Sequence, residues 1–327
     1  MNTMVLIMSR EYDYSTIEVT QWLKYLNIPF VRIDGEETYK IRKVSVGSDN
    51  DFIIYNAGKE ISLNQIKSIW YRRGSLNILY ELKGVISNEI NKYINAHLVD
   101  EIKILEDYFY FLMKDIPHLG TYEKRGMNKL EVLYRAQNLG INIPNTYVVD
   151  SLSLVSGINN LITKCISEPF MPRTPYGDYM TYTEDVKFDN RLQNSFFPSL
   201  FQDKYEKEAD LRIFYIDNNF YGMAIRSQAD SQTSTDFRKY LNSNPNRKFP
   251  FNIPLEIQKK LKKLMDELCL ETGSIDMIFT RQGEFIFLEV NPVGQFGMTS
   301  YPCNYYLEKK IAIHLKNIAH NERKSSN

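Results

Sequence analysis

Gly273-Ser274-Ile275-Asp276-Met277-Ile278 and, beyond a turn at Arg281-Gln282-Gly283, Phe287-Leu288-Glu289-Val290-Asn291-Pro292 form the most informative stretch of this 327-residue chain. The composition and the turn predict two strands, Ser274 to Thr280 and Glu284 to Val290. Strand side chains alternate between faces, which puts Glu289 and Asn291 on the same side. If the strands pair across the turn, Asp276 lies beside them, and two carboxylates and an amide oxygen converge. An all-oxygen set of that kind suits Mg²⁺ bridging nucleotide phosphates and does not suit zinc. Taken alone, the spacing favours a plainer reading, polar residues on the exposed face of a hairpin, because carboxylates on strands are common.

Working outward, Ile257, Leu261, Leu264 and Leu268 mark a helix just before this hairpin, with Pro254 in its first turn. Cys269 beside Leu268 and Met265 reads as core. Leu211 to Ile216, Asp217-Asn218-Asn219 and Phe220 to Ile225 predict another hairpin. Further upstream, Lys129 to Leu139 reads as a helix ended by Gly140, and Thr146 to Val149 as a strand. The first 115 residues alternate strand and helix, which predicts a small, mostly parallel sheet. Val5 to Met8, Phe30 to Ile33 and Ser68 to Arg72 are its strands. Thr16 to Leu26 is a helix with Ile17, Trp22 and Leu26 available for one face. A longer helix carries Ile90, Ile94, Leu98, Ile102, Leu105, Phe109 and Leu112 at three- or four-residue spacing and is expected to pack on the sheet. These boundaries give an N-terminal domain over 1–115, two further subdomains over 116–199 and 200–320, and a disordered tail over 321–327.

Composition excludes several function classes. Lys+Arg and Asp+Glu each number 40, so bulk charge does not hold this protein to nucleic acid or an anionic membrane. No apolar run approaches the roughly 18 residues of a membrane span, and Arg10, Glu11 and Asp13 follow the first strand too closely for a signal peptide. Cys165, Cys269 and Cys303 form no CxxC pair and are odd in number, as expected of reduced thiols in a cytoplasmic protein. The four histidines show no metal-ligand spacing, and no GxxxxGK[ST] phosphate loop occurs.

Asp276…Glu289-Val290-Asn291 resembles the metal-binding end of the ATP-grasp superfamily, and the resemblance continues upstream in the family's order. Asn128-Lys129 with Ala136, Gly140-Ile141 and Ile143-Pro144 resembles the entry into its first nucleotide-binding subdomain. Lys164 matches its phosphate-reaching lysine. Phe201-Gln202-Asp203-Lys204-Tyr205 resembles the hinge bordering adenine, with Asp203 in place of the usual glutamate. Asp210-Leu211-Arg212 matches the element whose acid meets ribose and whose arginine faces the acceptor. Asp236-Phe237-Arg238 matches the element whose arginine contacts the terminal phosphates. Together these cover residues 128 to 297.

Asn291-Pro292-Val293-Gly294-Gln295-Phe296-Gly297, Ser227-Gln228 and Trp70-Tyr71-Arg72-Arg73 further resemble the maturases that macrocyclise ribosomal peptides, the graspetide or microviridin-type ligases, including their grasp-with-spasm branch. Gly74 stands where that group leads one to expect proline. The resemblance implies an ATP-grasp fold, α/β and α+β, behind a Rossmann-like N-terminal domain, with ATP and Mg²⁺ as cofactors. Its implied metal ligands are Asp276, Glu289 and Asn291. Lys129, Lys164, Gln202, Asp203, Tyr205, Asp210 and Arg238 would line the nucleotide, with Lys164, Arg212 and Arg238 catalytic.

The implied partner is a precursor peptide with leader and core, and the implied assembly a homodimer. Arg212 would hold the acceptor, Arg72 and Arg73 would contact substrate, and Glu184 and Asp185 would belong to a hairpin receiving the leader; for these last four residues plain solvent exposure is an equal or better reading. Phosphorylating a peptide carboxylate gives an acyl phosphate, from which a Thr or Ser hydroxyl or a Lys amine displaces phosphate to close a ring. Two alternatives stay open: a ligase adding amino acids to a protein or small acid, of the ribosomal-modification type, and a non-catalytic ATP-binding module.

Overall fold

The computed structural model describes residues 4–80, 88–124, 126–167, 173–174, 177–178, 181–186, 195–226 and 246–325. The chain divides into two compact units, residues 1–125 with 306–327, and residues 126–305.

In the first unit, β1 (Met4–Ser9), α1 (Tyr14–Tyr25), β2 (Phe30–Asp34), β6 (Ile66–Tyr71), α2 (Asn88–Met113) and β7 (His118–Leu119) build a parallel sheet of order β2-β1-β6-β7. The central strand β1 is apolar on both faces, Val5 to Met8 being fully buried, as a strand covered on both sides must be. Between β2 and β6 the chain forms a separate antiparallel sheet from β3 (Lys40–Ser45), β4 (Asp51–Asn56) and β5 (Lys59–Ser62).

Helix α6 (Leu307–Ser325) packs on α1 and β6 of this same unit. It buries Leu307, Ile311, Ala312, Leu315 and Ala319 at helical spacing. The boundary drawn at 320 is therefore corrected. The apolar stripe shows that α6 needs a partner, but its partner lies almost 300 residues earlier in sequence. The helix also runs through most of the stretch from 321 that was expected to be disordered.

Two expectations for the helices of this unit are corrected as well. The buried face of α1 is Thr16, Val19, Thr20 and Leu23, while Ile17, Trp22 and Leu26 are only half-buried. Two inward threonines disguise the stripe: Thr16 bonds Ser9 through its hydroxyl (2.7 Å) and Thr20 returns its own to the Ile17 carbonyl. Along α2 only Phe109, Tyr110 and Met113 are fully buried, and Ile94, Leu98, Ile102 and Leu105 are half-buried.

The second unit carries two larger sheets. Its elements in chain order are α3 (Lys129–Asn138), β8 (Thr146–Val149), β9 (Leu161–Lys164), the short pair β10 (Arg173–Thr174) and β11 (Gly177–Asp178), and β12 (Glu184–Asp185). There follow β13 (Ser199–Asp203), β14 (Lys207–Ile216), β15 (Asn219–Arg226), β16 (Arg247–Phe251), α4 (Leu255–Glu267), β17 (Thr272–Thr280), β18 (Phe285–Asn291) and α5 (Gly297–Cys303). One sheet has the order β12-β9-β13-β8, so β13 belongs with the strands before it and the subdomain boundary expected at 199 moves beyond Asp203. The other is the antiparallel sheet β16-β15-β14-β17-β18.

One face of the five-stranded sheet presents Leu211, Ile213, Tyr215, Ile275, Met277, Phe287 and Val290 to α3 and α4. Leu261, Leu264 and Met265 of α4 are fully buried there. Each such side chain contributes about 1.5–3 kcal/mol relative to exposure. Two β-bulges govern the opposite face. Asp276 pairs with Glu289 but Met277 pairs with Phe287, so Leu288 is an extra residue. Phe285 and Phe287 point to the core before it, Val290 after it, and Glu289 and Asn291 are freed for the other side. In the same way Glu208 is extra between Lys207 and Ala209.

Helices α1, α3 and α4 end alike. In each, the residue past the cap adopts positive φ and the next amide reaches back to the last turn: Asn27, Gly140 and Cys269 hold the left-handed position. Cys269 is exposed there, which corrects its reading as core. Among the described residues, no helix is long and apolar enough to cross a membrane.

Candidate active site

The site is written across three neighbouring strands. Register sets Arg212 on β14 opposite Asp276 on β17, and Asp276 opposite Glu289 on β18. All three side chains leave the sheet on the face away from α3 and α4, because their sequence neighbours Leu211, Ile213, Ile275, Met277 and Val290 occupy the core. Arg212 Nη1 donates to both Asp276 oxygens, at 2.8 Å and 2.5 Å. Its Nε is buried without a hydrogen-bond partner. The guanidinium is thus anchored by one end, and its Nε donor is left unsatisfied.

Two lysines complete the cluster. Lys129 stands at the start of α3, whose N-cap Asn128 accepts from the Leu130 and Glu131 amides. Its Nζ lies 3.3 Å from Glu289 Oε2 and donates to the Ser167 carbonyl at 3.0 Å. Lys164, at the end of β9, also acts on the Glu289 charge. Burial pulls the Glu289 carboxyl upward, but Lys129, Lys164 and Arg212 together hold it below the usual carboxylate range. Asp276 goes the other way. Burial, aided by repulsion from Glu289 and Asp210, keeps its carboxyl above the usual range in spite of Arg212. Two facing carboxylates with one held high are relieved by a cation that shares their oxygens.

The donor set fits Mg²⁺. Among the described residues no three His, Cys, Asp or Glu side chains converge as a metal site, so the oxygens on offer are two carboxylates and the Asn291 amide. Asn291 Oδ1 already accepts from Val293 N (3.1 Å), which fixes the amide and leaves a second lone pair. Asn291 to Gly294 closes a turn through Gly294 N and the Asn291 carbonyl (3.1 Å). A Cβ on Gly294 would sit 2.4 Å from that of Ser274, so only glycine fits beside β17.

Other sequence candidates are placed as follows. Asp210 is on the face of Arg212, two residues before it, and accepts from Lys207 Nζ at 2.9 Å. Lys207 is 5% exposed and escaped notice in the sequence: strict alternation would send it to the core face, and only the bulge at Glu208 brings it round. Gln202 is fully buried in β13, donating to Thr146 Oγ1 at 2.9 Å. Asp203 accepts from Asn145 Nδ2 at 2.6 Å. Tyr205 borders a cavity of about 790 Å³ with Ile143, Tyr147 and Ile286. The described lining of that cavity does not include Lys164, Arg212, Asp276 or Glu289. Glu184 and Asp185 are exposed on the edge strand β12, and Asp185 pairs with Lys204 at 2.7 Å. Arg238, with Asp236 and Phe237, lies outside the described residues, as do Ser227 and Gln228.

Arg72 and Arg73 belong to the first unit. Both lie against one carboxylate, Asp13 Oδ2, at 3.4 Å from Arg72 Nη2 and 3.0 Å from Arg73 Nε. Asp13, read in the sequence only as a charge following the first strand, is the N-cap of α1, and its spacing before Thr16 is the available signal.

Comparison with known proteins accords with this architecture. Residues 4–125 match the family model of the MvdD pre-ATP-grasp domain. A search of curated proteins returns no match. Among solved structures, the macrocyclase MdnC bound with precursor peptide MdnA from Microcystis aeruginosa MRC is 25% identical. It has a TM-score of 0.75, over 96% of this chain and 100% of that one. The Chryseobacterium gregarium RiPP-associated ATP-grasp ligase, in complex with ADP and a leader and core peptide, is 24% identical. Its TM-score is 0.79, over 98% and 96% of the two chains. The VanG D-Ala:D-Ser ligase from Enterococcus faecalis shares the fold more distantly, at 11% identity and a TM-score of 0.52 over 98% and 100%.

Proposed function

We propose that this chain, an ATP-grasp protein headed by an MvdD-type pre-ATP-grasp domain, is an ADP-forming ligase that macrocyclises a ribosomal precursor peptide. The observation that carries the reading is the row Arg212–Asp276–Glu289 flanked by Lys129 and Lys164. It gathers three cations and two carboxylates on one sheet face, which is what transfer of a phosphoryl group to a carboxylate requires. Support for the peptide substrate comes from the similarity to MdnC and to the Chryseobacterium ligase, both solved with peptides.

In the proposed reaction a Glu or Asp side chain of the peptide attacks the γ-phosphorus of ATP. A carboxylate O–P bond forms, the bridging β–γ P–O bond breaks, and ADP leaves. Arg212 positions the attacking carboxylate with the donor Asp276 does not occupy, and Lys129 and Lys164 offset phosphate charge. Asp210, Gln202, Asp203 and Tyr205 are assigned to the nucleotide's ribose and adenine side, and Arg238 to its terminal phosphates. Asp276, Glu289 and Asn291 would hold Mg²⁺, which when bound neutralises charge on the phosphates. A Thr or Ser hydroxyl, or a Lys amine, of the same peptide then attacks the acyl carbon. Phosphate departs with the C–O bond and carries away the proton, leaving an ester or amide ring. Glu184 and Asp185 are assigned to leader binding on the edge strand β12.

Incubating the full chain with ATP, Mg²⁺ and the precursor peptide tests the proposal. Loss of one water per ring, matched by ADP formation, is the expected result. A gain in peptide mass identifies an amino-acid-adding ligase instead, and ATP binding without ADP release identifies a non-catalytic module.

A further inference from the structure

In the first unit β2 is the outermost strand of the parallel sheet. The Val5 amide donates to the Pro29 carbonyl and the Gly35 amide to the Ser9 carbonyl, both at 3.0 Å, so residues 29, 31, 33 and 35 turn their backbone groups toward β1. Phe30, Arg32 and Asp34 turn theirs outward. The Asp34 carbonyl accepts from the Glu37 amide at 3.0 Å. Among the described residues, the amides and carbonyls of Phe30 and Arg32 bond to nothing.

This open edge lines a cavity of about 790 Å³. Strand β5, an edge of the antiparallel sheet, supplies Lys59 to Ser62 to the same cavity, and Met4, Phe30, Ile61 and Ile66 give it an apolar wall. Proteins blunt exposed edges with charged side chains, proline or a covering element. Here the Arg32 side chain is drawn off instead. Its Nη2 donates to the carbonyls of Arg10 and Glu11, and its Nε to Asp34 Oδ1 at 2.7 Å. The edge is therefore unpaired yet recessed, a shape that hinders the sheet of another folded copy and admits a single extended chain. Such a chain supplies the alternating acceptors and donors that the edge lacks.

Side-chain chemistry narrows the choice. Tyr39 Oη and Asn56 Nδ2 both donate to Glu37 Oε2, at 2.6 Å and 3.1 Å, and so fix that carboxylate in the cavity wall. Its Oε1 accepts from nothing among the described residues, and Glu37 forms no ion pair there. The other carboxylates of the lining are answered: Asp34 by Arg32, and Glu60 by Arg42 at 3.6 Å. Lys59, the remaining cation of the lining, stands at the exposed tip of the β4–β5 hairpin. Burial holds the Asp34 carboxyl above its usual range in spite of Arg32, and repulsion from Glu37 adds to the shift. A cation arriving at Glu37 relieves both carboxylates.

We propose that the cavity shared by β2 and β5 binds an extended, basic segment of the peptide substrate, its backbone pairing with β2 as a fifth strand and its Lys or Arg side chain meeting Glu37. Glu37 is the contact; Tyr39 and Asn56 are positioning residues. The choice of the substrate as the source of this segment rests on the peptide-ligase reading.

Fluorescence titration of the full chain with the labelled pentapeptide acetyl-Thr-Val-Lys-Val-Thr-amide tests it. Glu37→Gln keeps an acceptor for Tyr39 and Asn56 but loses the charge, and is expected to weaken binding about fivefold. Norleucine in place of the probe's lysine should have the same effect, and the two changes together should weaken binding no further, because they remove one interaction. N-methylation of alternate amides along one edge of the probe should weaken binding about tenfold, and along the other edge far less. Glu36→Gln, outside the cavity lining, should stay within about twofold of wild type. A wild-type chain that ignores the probe, an unchanged affinity in Glu37→Gln, or equal losses from both methylation patterns overturns the proposal. With the precursor peptide, Glu37→Gln should raise the peptide KM and leave the ATP KM where it was; a peptide KM that does not move overturns the assignment to substrate. Failure of any ring to form, beside Glu37-dependent binding of the pentapeptide, would instead break the ligase reading and leave the cleft standing.

Discussion

Each unit holds an arginine–aspartate cluster, and the two are built to opposite ends. In the second unit Arg212 and Asp276 stand opposite one another in register, and Glu289 and Asp210 repel the Asp276 charge while being themselves faced by Lys129, Lys164 and Lys207. In the first unit Asp13 faces two arginines, and Arg73 repels the Arg72 charge. Asp276 is held above the usual carboxylate range, whereas Arg72 is held below the usual guanidinium range. In each, burial and a like-charged neighbour act together against the charged form.

The sharpest break in that comparison is Asp13→Ala. It takes a carboxylate away from two guanidinium groups, one nearly fully buried, and removes the α1 cap, so a loss of about 3–5 kcal/mol is expected from urea unfolding. Asp13→Asn keeps the cap, and should spare about 1 kcal/mol of that loss. In the second unit the expected damage is to chemistry and not to folding. Glu289→Gln should cut peptide-stimulated ADP release by about 100-fold or more, while its unfolding free energy stays within about 1 kcal/mol of wild type, the carboxylate being 31% exposed. If ADP release were unchanged, the site would be misassigned. Smallest are the helix ends. Cys269→Gly should stabilise by about 0.5–1 kcal/mol, because cysteine bears the strain of φ +53 that glycine does not. Asn27→Gly, where the native residue already tolerates the left-handed region, should gain only a few tenths of a kcal/mol, read as a small rise in urea midpoint.

Much of the second unit was legible because its information is local. The hairpin from Ser274 to Val290, the helix after Asn128 and the Asp217-Asn218-Asn219 turn are each set by residues a few positions apart. What escaped depends on partners distant in sequence or on breaks in periodicity. Helix α6 advertises an apolar face but not that α1 and β6 cover it. The inward threonines of α1 carry polar atoms that pattern reading sends outward. Lys207 joins Asp210 only because an extra residue resets the alternation. Arg72 and Arg73 look alike in sequence, and only the fold shows that one is buried and the other half-buried.

The extra residue at Leu288 has a consequence for how this protein can vary. It acts as a parity switch, letting one strand serve the interior before it and the reaction face after it. Substituting Leu288 by another apolar residue should be benign. Removing it would leave Phe287, Glu289 and Val290 in regular alternation, each on its present face, whereas drawing it into the ladder as a paired residue would exchange the faces of Glu289 and Val290. Single-codon deletion of Leu288 should therefore be tolerated along with its apolar substitutions, while insertion of one residue between Glu289 and Val290 should not be.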